Sequence, residues 1–283
     1  MTGSTIDVSA RTVIEGCFDA TGQAELSLVY DVGLALGLPE QRVRLAIRRL
    51  QASGTLQQTG RGRAGRLELT AAGLAHFERE HGYVEFARAQ DAGLAPWDGG
   101  WWLYSFSIPE TERAERDAVR GALTTLGAAA LAAGLYASPH DLRTEVAGIL
   151  EPRGFAPRLI VAATTQLTVP GCATALEIAE QLWPAARTRA AYEPLAAVLA
   201  GYRRPTPTDP VQVAAQALRL SEGLDVALRV DPLLPPELRP LDWEPAEVRR
   251  QCSLLWGELS QLAPELPVFQ DPPVREASAS RRA

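Results

Sequence analysis

The sequence predicts an α+β fold in three parts, and three observations predict it. Helix-patterned segments joined by a glycine-proline turn lead into a short basic hairpin within the first seventy or so residues. Residues 101–164 alternate strand and helix patterns, and residues 173–262 hold four helix-patterned stretches in a row. With 283 residues, 46% apolar and 22% charged, the chain is ordinary for a globular protein and long enough for more than one core.

Residues 12–19 read as a short helix and residues 24–36 as a second, with Leu28, Val32 and Ala35 in one stripe. Leu36-Gly37-Leu38-Pro39 breaks the pattern, and Pro39 suits the opening turn of a third helix over 39–53. In that helix Val43, Ala46, Ile47 and Leu50 form the inner face. At about 100° per residue, Gln41, Leu45, Arg48 and Ala52 point outward, with Arg44 on one flank and Arg42 and Arg49 on the other. Strand-like runs at 55–58 and 66–69 then flank Gly60-Arg61-Gly62-Arg63-Ala64-Gly65, a hairpin with a basic tip that ends at Arg66. Helix, helix, turn, helix and basic hairpin is the order of a winged helix-turn-helix. In such a module the third helix enters the major groove and the hairpin reaches the neighbouring backbone.

Charge agrees locally where it disagrees globally. The chain carries −6, yet residues 39–70 hold seven arginines against Glu40 and Glu68, so this stretch is +5 and the remainder −11. Clustered positive charge is what a phosphate backbone rewards. The chain has no lysine, so the choice of arginine at any one site carries no information.

Residues 70–90 continue as a polar helix containing His76 and His81, followed by a linker over 91–100. Residues 101–108 alternate Trp102, Tyr104, Phe106 and Ile108 with Trp101, Leu103, Ser105 and Ser107, a strand by period and aromatic content. After Pro109 a helix places Val119, Ala122, Leu123 and Leu126 inward and spaces Glu112, Arg116 and Arg120 for pairing on its outer side; Gly127 ends it. A strand at 134–138, a helix at 141–150 and a strand at 159–164 complete a small α+β sandwich of ferredoxin-like type. Helices follow at 173–182, 185–202, 210–229 and 244–262. The expected organisation is a winged helix-turn-helix over 1–90, a central ferredoxin-like α/β domain over 91–170, a helical C-terminal domain over 171–270 and a disordered tail over 271–283.

Several chemistries are disfavoured. Cys17, Cys172 and Cys252 are scattered and odd in number, giving neither a disulfide framework nor a CxxC pair, as expected of a cytoplasmic protein. No apolar signal core or membrane span is evident. Three histidines without HExxH or comparable spacing make a metal site improbable, and no cofactor is expected. Ser138, His140 and Asp141 are close in sequence, but a triad is defined by spatial geometry; a helix-start turn is the better reading.

The segment Trp97-Asp98-Gly99-Gly100-Trp101-Trp102-Leu103-Tyr104-Ser105-Phe106-Ser107-Ile108-Pro109-Glu110, followed by Arg113-Ala114-Glu115-Arg116-Asp117, resembles the central domain of the PaaX family, repressors of phenylacetic acid degradation. Gly134-Leu135-Tyr136-Ala137-Ser138-Pro139, Leu182-Trp183-Pro184 and Asp231-Pro232-Leu233-Leu234-Pro235-Pro236-Glu237-Leu238 stand in that family's order. The resemblance implies a GntR-like or MarR-like winged helix, a central domain related to a small CRISPR-associated nuclease, and a helical C-terminal domain. It also implies a homodimeric repressor of a catabolic operon, bound to a palindromic operator and released by a small effector such as an aryl- or acyl-coenzyme A. The related nucleases hold a metal with an acidic residue near the end of the first strand of this domain. Tyr104-Ser105-Phe106-Ser107 supplies none, so no enzyme activity is expected.

Residues expected to meet DNA are Gln41, Arg42, Arg44, Leu45, Arg48, Arg49, Arg61, Arg63 and Arg66. For the effector, tryptophans suit a flat acyl group and arginines suit phosphates, which selects Trp101, Trp102, Arg158, Trp183 and Arg187. The alternatives are a metal-dependent nuclease acting through the central domain and a DNA-binding protein without a ligand.

Overall fold

The computed structural model describes residues 6–156, 158–202 and 209–270, with side chains described for all of these but 76–81. The tail expected over 271–283 lies outside the described residues. The chain gathers into two compact units. One comprises residues 1–86, 194–225 and 247–283, and the other residues 87–193 and 226–246, so the helices after residue 171 contribute to both.

In the first unit, α1 (Ala10–Glu15), α2 (Leu26–Ala35) and α3 (Glu40–Ala52) precede the hairpin of β2 (Leu56–Thr59) and β3 (Arg66–Leu69). The Ser9 hydroxyl accepts from the Thr12 amide and starts α1 two residues before the expected position. Between α2 and α3, Gly37 takes φ +77°, and the Leu38 amide bonds back to the Gly33 carbonyl at 2.8 Å. That left-handed closure lets the chain turn sharply into α3. Pro39 stands at the N-cap of α3 rather than inside it and makes no side-chain cap.

A third strand, β1 (Gln23–Glu25), corrects the expected helix over 24–36. Gln23, Ala24 and Glu25 pair antiparallel with Glu68, Leu67 and Arg66, giving the sheet order β1-β3-β2. Three residues are too few for alternation to show in sequence. Because α2 begins at Leu26, its buried residues are Leu26, Val29, Tyr30, Val32 and Gly33, while Leu28 and Ala35 are only half-buried. The helix α2 packs on α1, which buries Val13 and Ile14, and on α3, which buries Val43, Ile47 and Leu50. The helix α4 (Ala71–Asp91) leaves the hairpin.

The second unit holds an antiparallel sheet of β4 (Trp101–Ser105), β5 (Ala129–Ala132), β6 (Leu135–Ser138) and β7 (Ile160–Thr164) in the order β5-β6-β4-β7. Helix α5 (Arg113–Thr125) joins β4 to β5, and α6 (Arg143–Leu150) joins β6 to β7. With β5 supplied, this is the split βαβ arrangement of the ferredoxin-like fold. The strand β5 is absent from the sequence reading because Ala129, Ala130, Leu131 and Ala132 have neither β-branching nor alternating polarity.

The alternation in β4 sends its aromatics to two places. Tyr104 is fully buried with Phe106, Val119, Leu123, Tyr136, Val146 and Leu150, and Trp102 packs against the same cluster. The Tyr104 hydroxyl donates to the His140 carbonyl and accepts from the Leu142 amide, fixing the start of α6. Two expectations are corrected here. The strand ends at Ser105 rather than Ile108, since Phe106 keeps only a bond to Gly134 before Pro109. Glu112 does not pair with Arg116, because residues 110–112 form a separate tight turn and α5 begins at Arg113. Arg116 pairs with Glu110, and Glu112 takes Arg158 at 2.6 Å.

Helices α7 (Ala175–Leu182), α8 (Ala185–Gly201), α9 (Pro210–Leu228) and α10 (Glu244–Leu262) follow close to their expected bounds. Thr174 and Glu177 form a reciprocal capping box at the start of α7. Among the described residues, no helix is long and apolar enough to cross a membrane. None of the three cysteines forms a disulfide, and burial pushes the Cys17 thiol up to about 12, which keeps it unreactive.

Candidate nucleic-acid interface

The sequence of α3 divides its surface cleanly. Val43 and Ile47 are 1% and 3% exposed, whereas Gln41, Arg42, Arg44, Leu45, Arg48 and Arg49 are all exposed. Leu45 is 44% exposed, an apolar side chain on the outside of a polar helix. Across from it, the hairpin exposes Arg61, Arg63 and Arg66. A cleft of about 340 Å³ lies between helix and hairpin, lined by Tyr30, Arg44, Ile47, Arg48, Gln58, Arg61 and Gly62.

The seven arginines fall into two sets. Arg44 pairs with Glu40 at 2.9 Å, Arg63 with Asp31 at 2.5 Å and, more distantly, Glu40, and Arg66 with Glu25 at 2.6 Å. Asp31 raises the pKa of Arg63 through its hydrogen bond and its charge. All of these pairs are solvent-exposed, where such contacts contribute about 0–1 kcal/mol and are readily exchanged for another anion. Arg42, Arg48, Arg49 and Arg61 have no ion-pair partner among the described residues. The surface therefore offers four guanidinium groups free and three on loan to carboxylates.

Sequence reasoning missed Tyr30. Its ring is buried beneath the cleft, with the Arg44 and Arg63 guanidinium carbons 5.9 and 6.0 Å from its centroid, at the limit of a cation–π contact. Of the carboxylates, only Glu40 carries a signal that could have paired it from sequence, its four-residue spacing from Arg44. Asp31 and Glu25 come to their arginines through the fold, Glu25 as the direct partner of Arg66 in the β1–β3 ladder.

The five residues expected to serve an effector do not meet at one place. Trp101 is 2% exposed and stacks parallel to Trp183 with centroids 6.1 Å apart, Trp97 standing edge-on to it at 5.2 Å. Val169, Ile178, Leu234 and Leu238 pack around Trp101. Trp183 donates from Nε1 to the Gly127 carbonyl at 2.7 Å. Trp102 leaves the opposite face of β4, beneath the Arg143 guanidinium at 4.9 Å. Arg158 reaches Glu112 and the buried Glu115, and Arg187 is exposed with no side-chain partner among the described residues.

Ser138, His140 and Asp141 form the helix-start turn expected of them. Ser138 is buried and its hydroxyl accepts from the His140 amide, not from the ring. A His140 ring nitrogen bonds the Leu233 carbonyl at 2.7 Å, burial lowers the ring's pKa, and Asp141 is held by Arg143. No group of three metal-ligating side chains occurs among the described residues.

The geometry defines a mixed α+β chain with a ferredoxin-like middle and a basic helix-and-hairpin surface near its N-terminus. Residues 94–174 match the family model of the PaaX protein central Cas2-like domain. The chain therefore carries, over that central segment, a domain similar to the one found in PaaX proteins. A solved structure of an uncharacterized protein, Rv0674 from Mycobacterium tuberculosis, is similar in fold with a TM-score of 0.57 and 20% identity. That similarity covers 91% of this chain and 98% of the other. No curated protein matches the sequence.

Proposed function

We propose that the chain is a DNA-binding transcriptional repressor whose N-terminal part works as a winged helix-turn-helix. The observation that carries this is the surface of α3 and the hairpin, where Arg42, Arg48, Arg49 and Arg61 stand exposed without carboxylate partners among the described residues, Arg48 and Arg61 facing each other across one cleft. In this reading Gln41, Arg44, Leu45 and Arg48 face base edges, Arg42 and Arg49 hold phosphates, and Arg61, Arg63 and Arg66 extend the grip through the wing. A homodimer sets two such helices about 34 Å apart, or a multiple of that, so the operator is a spaced palindrome. Repression is by occlusion of a catabolic operon, and a small effector, an aryl- or acyl-coenzyme A on the family resemblance, releases DNA by binding one state better than the other.

Titration of fluorescent duplex from the region upstream of the protein's own gene tests the docking. Arg48→Ala is expected to lose about 2 kcal/mol of affinity for the operator and little for random duplex. Arg61→Ala is expected to weaken both alike and to reduce the salt slope by about 1. Wild-type affinity in both variants overturns this docking. Labelled strands left intact with magnesium or manganese separate a regulator from the nuclease alternative.

The carboxylates add a third expectation. Asp31→Asn removes a negative charge beside the cleft and frees Arg63 from its nearest partner. Operator affinity is expected to rise a few-fold while thermal stability changes by about 0.5 kcal/mol or less, since the pair is exposed. Unchanged or weaker binding in that variant argues that Arg63 does not reach DNA.

A further inference from the structure

Helices α8, α9 and α10 and the residue after α8 line a second, open-mouthed pocket within the first unit, of about 190 Å³. Its apolar lining is Val198, Leu220, Leu255 and Leu259, and its polar lining Tyr202, Gln216 and Arg219. Three features mark it as more than a packing defect. The Tyr202 hydroxyl and the Gln216 side-chain oxygen are both buried with no hydrogen-bond partner. Buried polar atoms are satisfied in all but a few cases, so two unmet in one lining offer hydrogen bonds to a molecule that enters the pocket. Arg219, half-buried at the same pocket, has no ion pair among the described residues.

These features specify a ligand class. A pocket well under the roughly 300 Å³ at which drug-sized sites begin takes a compound of about ten non-hydrogen atoms, too small for a nucleotide-bearing thioester. The leucines and valine need an apolar body, the guanidinium an anionic group, and the orphaned oxygens a hydroxyl. The geometry points to a binding site for a small free organic acid, an aromatic or branched carboxylate with a hydroxyl at its far end.

The site is placed to influence the proposed DNA surface, and in this respect the inference rests on the DNA-binding reading. Gln216, Arg219 and Leu220 share one side of α9, and Leu218 and Glu222 lie on the opposite side at about 100° per residue. Glu222, 7% exposed, accepts from the Ser9 amide at 3.0 Å and from the Thr12 hydroxyl at the start of α1. Leu218 presses so closely on Gly16, at the end of α1, that a Cβ there would lie 2.2 Å from it. The helix α1 packs in turn on α3. A shift of α9 on filling the pocket is thus carried by direct contacts to the helix that bears the arginines.

Calorimetric titration of the full chain with 4-hydroxybenzoate, benzoate and the neutral 4-hydroxybenzyl alcohol tests the site. The 4-hydroxybenzoate is expected to bind with Kd about 1 mM or tighter, benzoate several-fold more weakly, and the alcohol at least tenfold more weakly. Arg219→Gln is expected to abolish the preference for the acid, and Leu255→Trp, which fills the pocket, to abolish binding. Circular dichroism and acid-free DNA affinity confirm that each variant is folded. Saturating 4-hydroxybenzoate is expected to change operator affinity at least fivefold in the wild type and not in Arg219→Gln. Absence of heat with both acids, or equal acid binding in Arg219→Gln, overturns the site; binding without a change in operator affinity overturns its regulatory role. Calorimetry needs no DNA, so a failure of the DNA-binding reading is seen separately in the α3 and hairpin variants.

Discussion

Affinity for operator duplex is expected to fall about a thousandfold between roughly 50 and 200 mM salt. Arg42, Arg49 and Arg61 are the exposed guanidinium groups without an ion-pair partner among the described residues that the proposed docking assigns to phosphates, three in each protomer of the proposed dimer. Six contacts across a dimer give a slope of log affinity against log salt near −5, and a fourfold rise in salt then costs about three decades. The overall charge of −6 does not blunt this, because counterion release depends on the phosphates actually neutralised and the +5 stretch lies at the proposed contact. Arg44, Arg63 and Arg66 act in the opposite sense to simple expectation. Each must leave Glu40, Asp31 or Glu25 before it can reach a phosphate, so each contributes less affinity than an unpaired arginine. Anisotropy titrations at four or five salt concentrations read the slope directly. A value shallower than about −2 means that no more than one phosphate contact per protomer is made, and the helix-and-hairpin surface is then not the DNA grip.

What sequence made legible follows from the length scale of each signal. The helix α3 spans 13 residues, enough for the 3.6 period to separate Val43, Ile47 and Leu50 from the arginines, and the exposed face was read correctly. Elements of three and four residues, β1 and β5, carry too little pattern, and their pairing with Leu67 and Tyr136 is decided by tertiary contact. The aromatic stretch at Trp101 and Trp102 was visible as a strand, but a strand reverses face at every residue. Two adjacent tryptophans therefore entered different packings, one among Trp97 and Trp183 and the other beneath Arg143. Long-range partners left no trace either. Arg63 and Asp31 are 32 residues apart and Arg158 and Glu112 are 46, distances at which spacing rules say nothing. The pocket among α8, α9 and α10 was hidden for the same reason, since its lining comes from three helices whose individual stripes look like ordinary core.

The joint between the hairpin and α4 gives the second large effect, with Gly73→Ala expected to destabilise the first unit by about 3 kcal/mol. The Thr70 hydroxyl donates to the Gly54 and Thr55 carbonyls and accepts from the Gly73 amide, so the first turn of α4 is drawn hard onto the residues before β2. A Cβ on Gly73 would sit 2.2 Å from the Thr55 carbonyl oxygen, 3.1 Å from the Leu69 side chain and 3.3 Å from the Thr55 carbonyl carbon. Two of these are backbone atoms, which cannot rotate aside, so the turn must lift by about 1 Å and loosen the Thr70 bonds. Replacing glycine in a helix by alanine ordinarily gains up to about 1 kcal/mol, and that gain is too small to offset the overlap. Gly82, in the same helix, meets nothing within 4 Å of an added Cβ. Gly82→Ala is therefore expected to stabilise by about 0.5–1 kcal/mol. Urea unfolding of the two variants beside the parent checks the contrast, and the hairpin supplies a functional counterpart. Because β2 continues from Thr55 into the hairpin, Gly73→Ala should also weaken operator binding, whereas Gly82→Ala should leave it unchanged. If both glycines behave alike, α4 is not seated against Thr55, and the angle of the hairpin is set by something other than this joint.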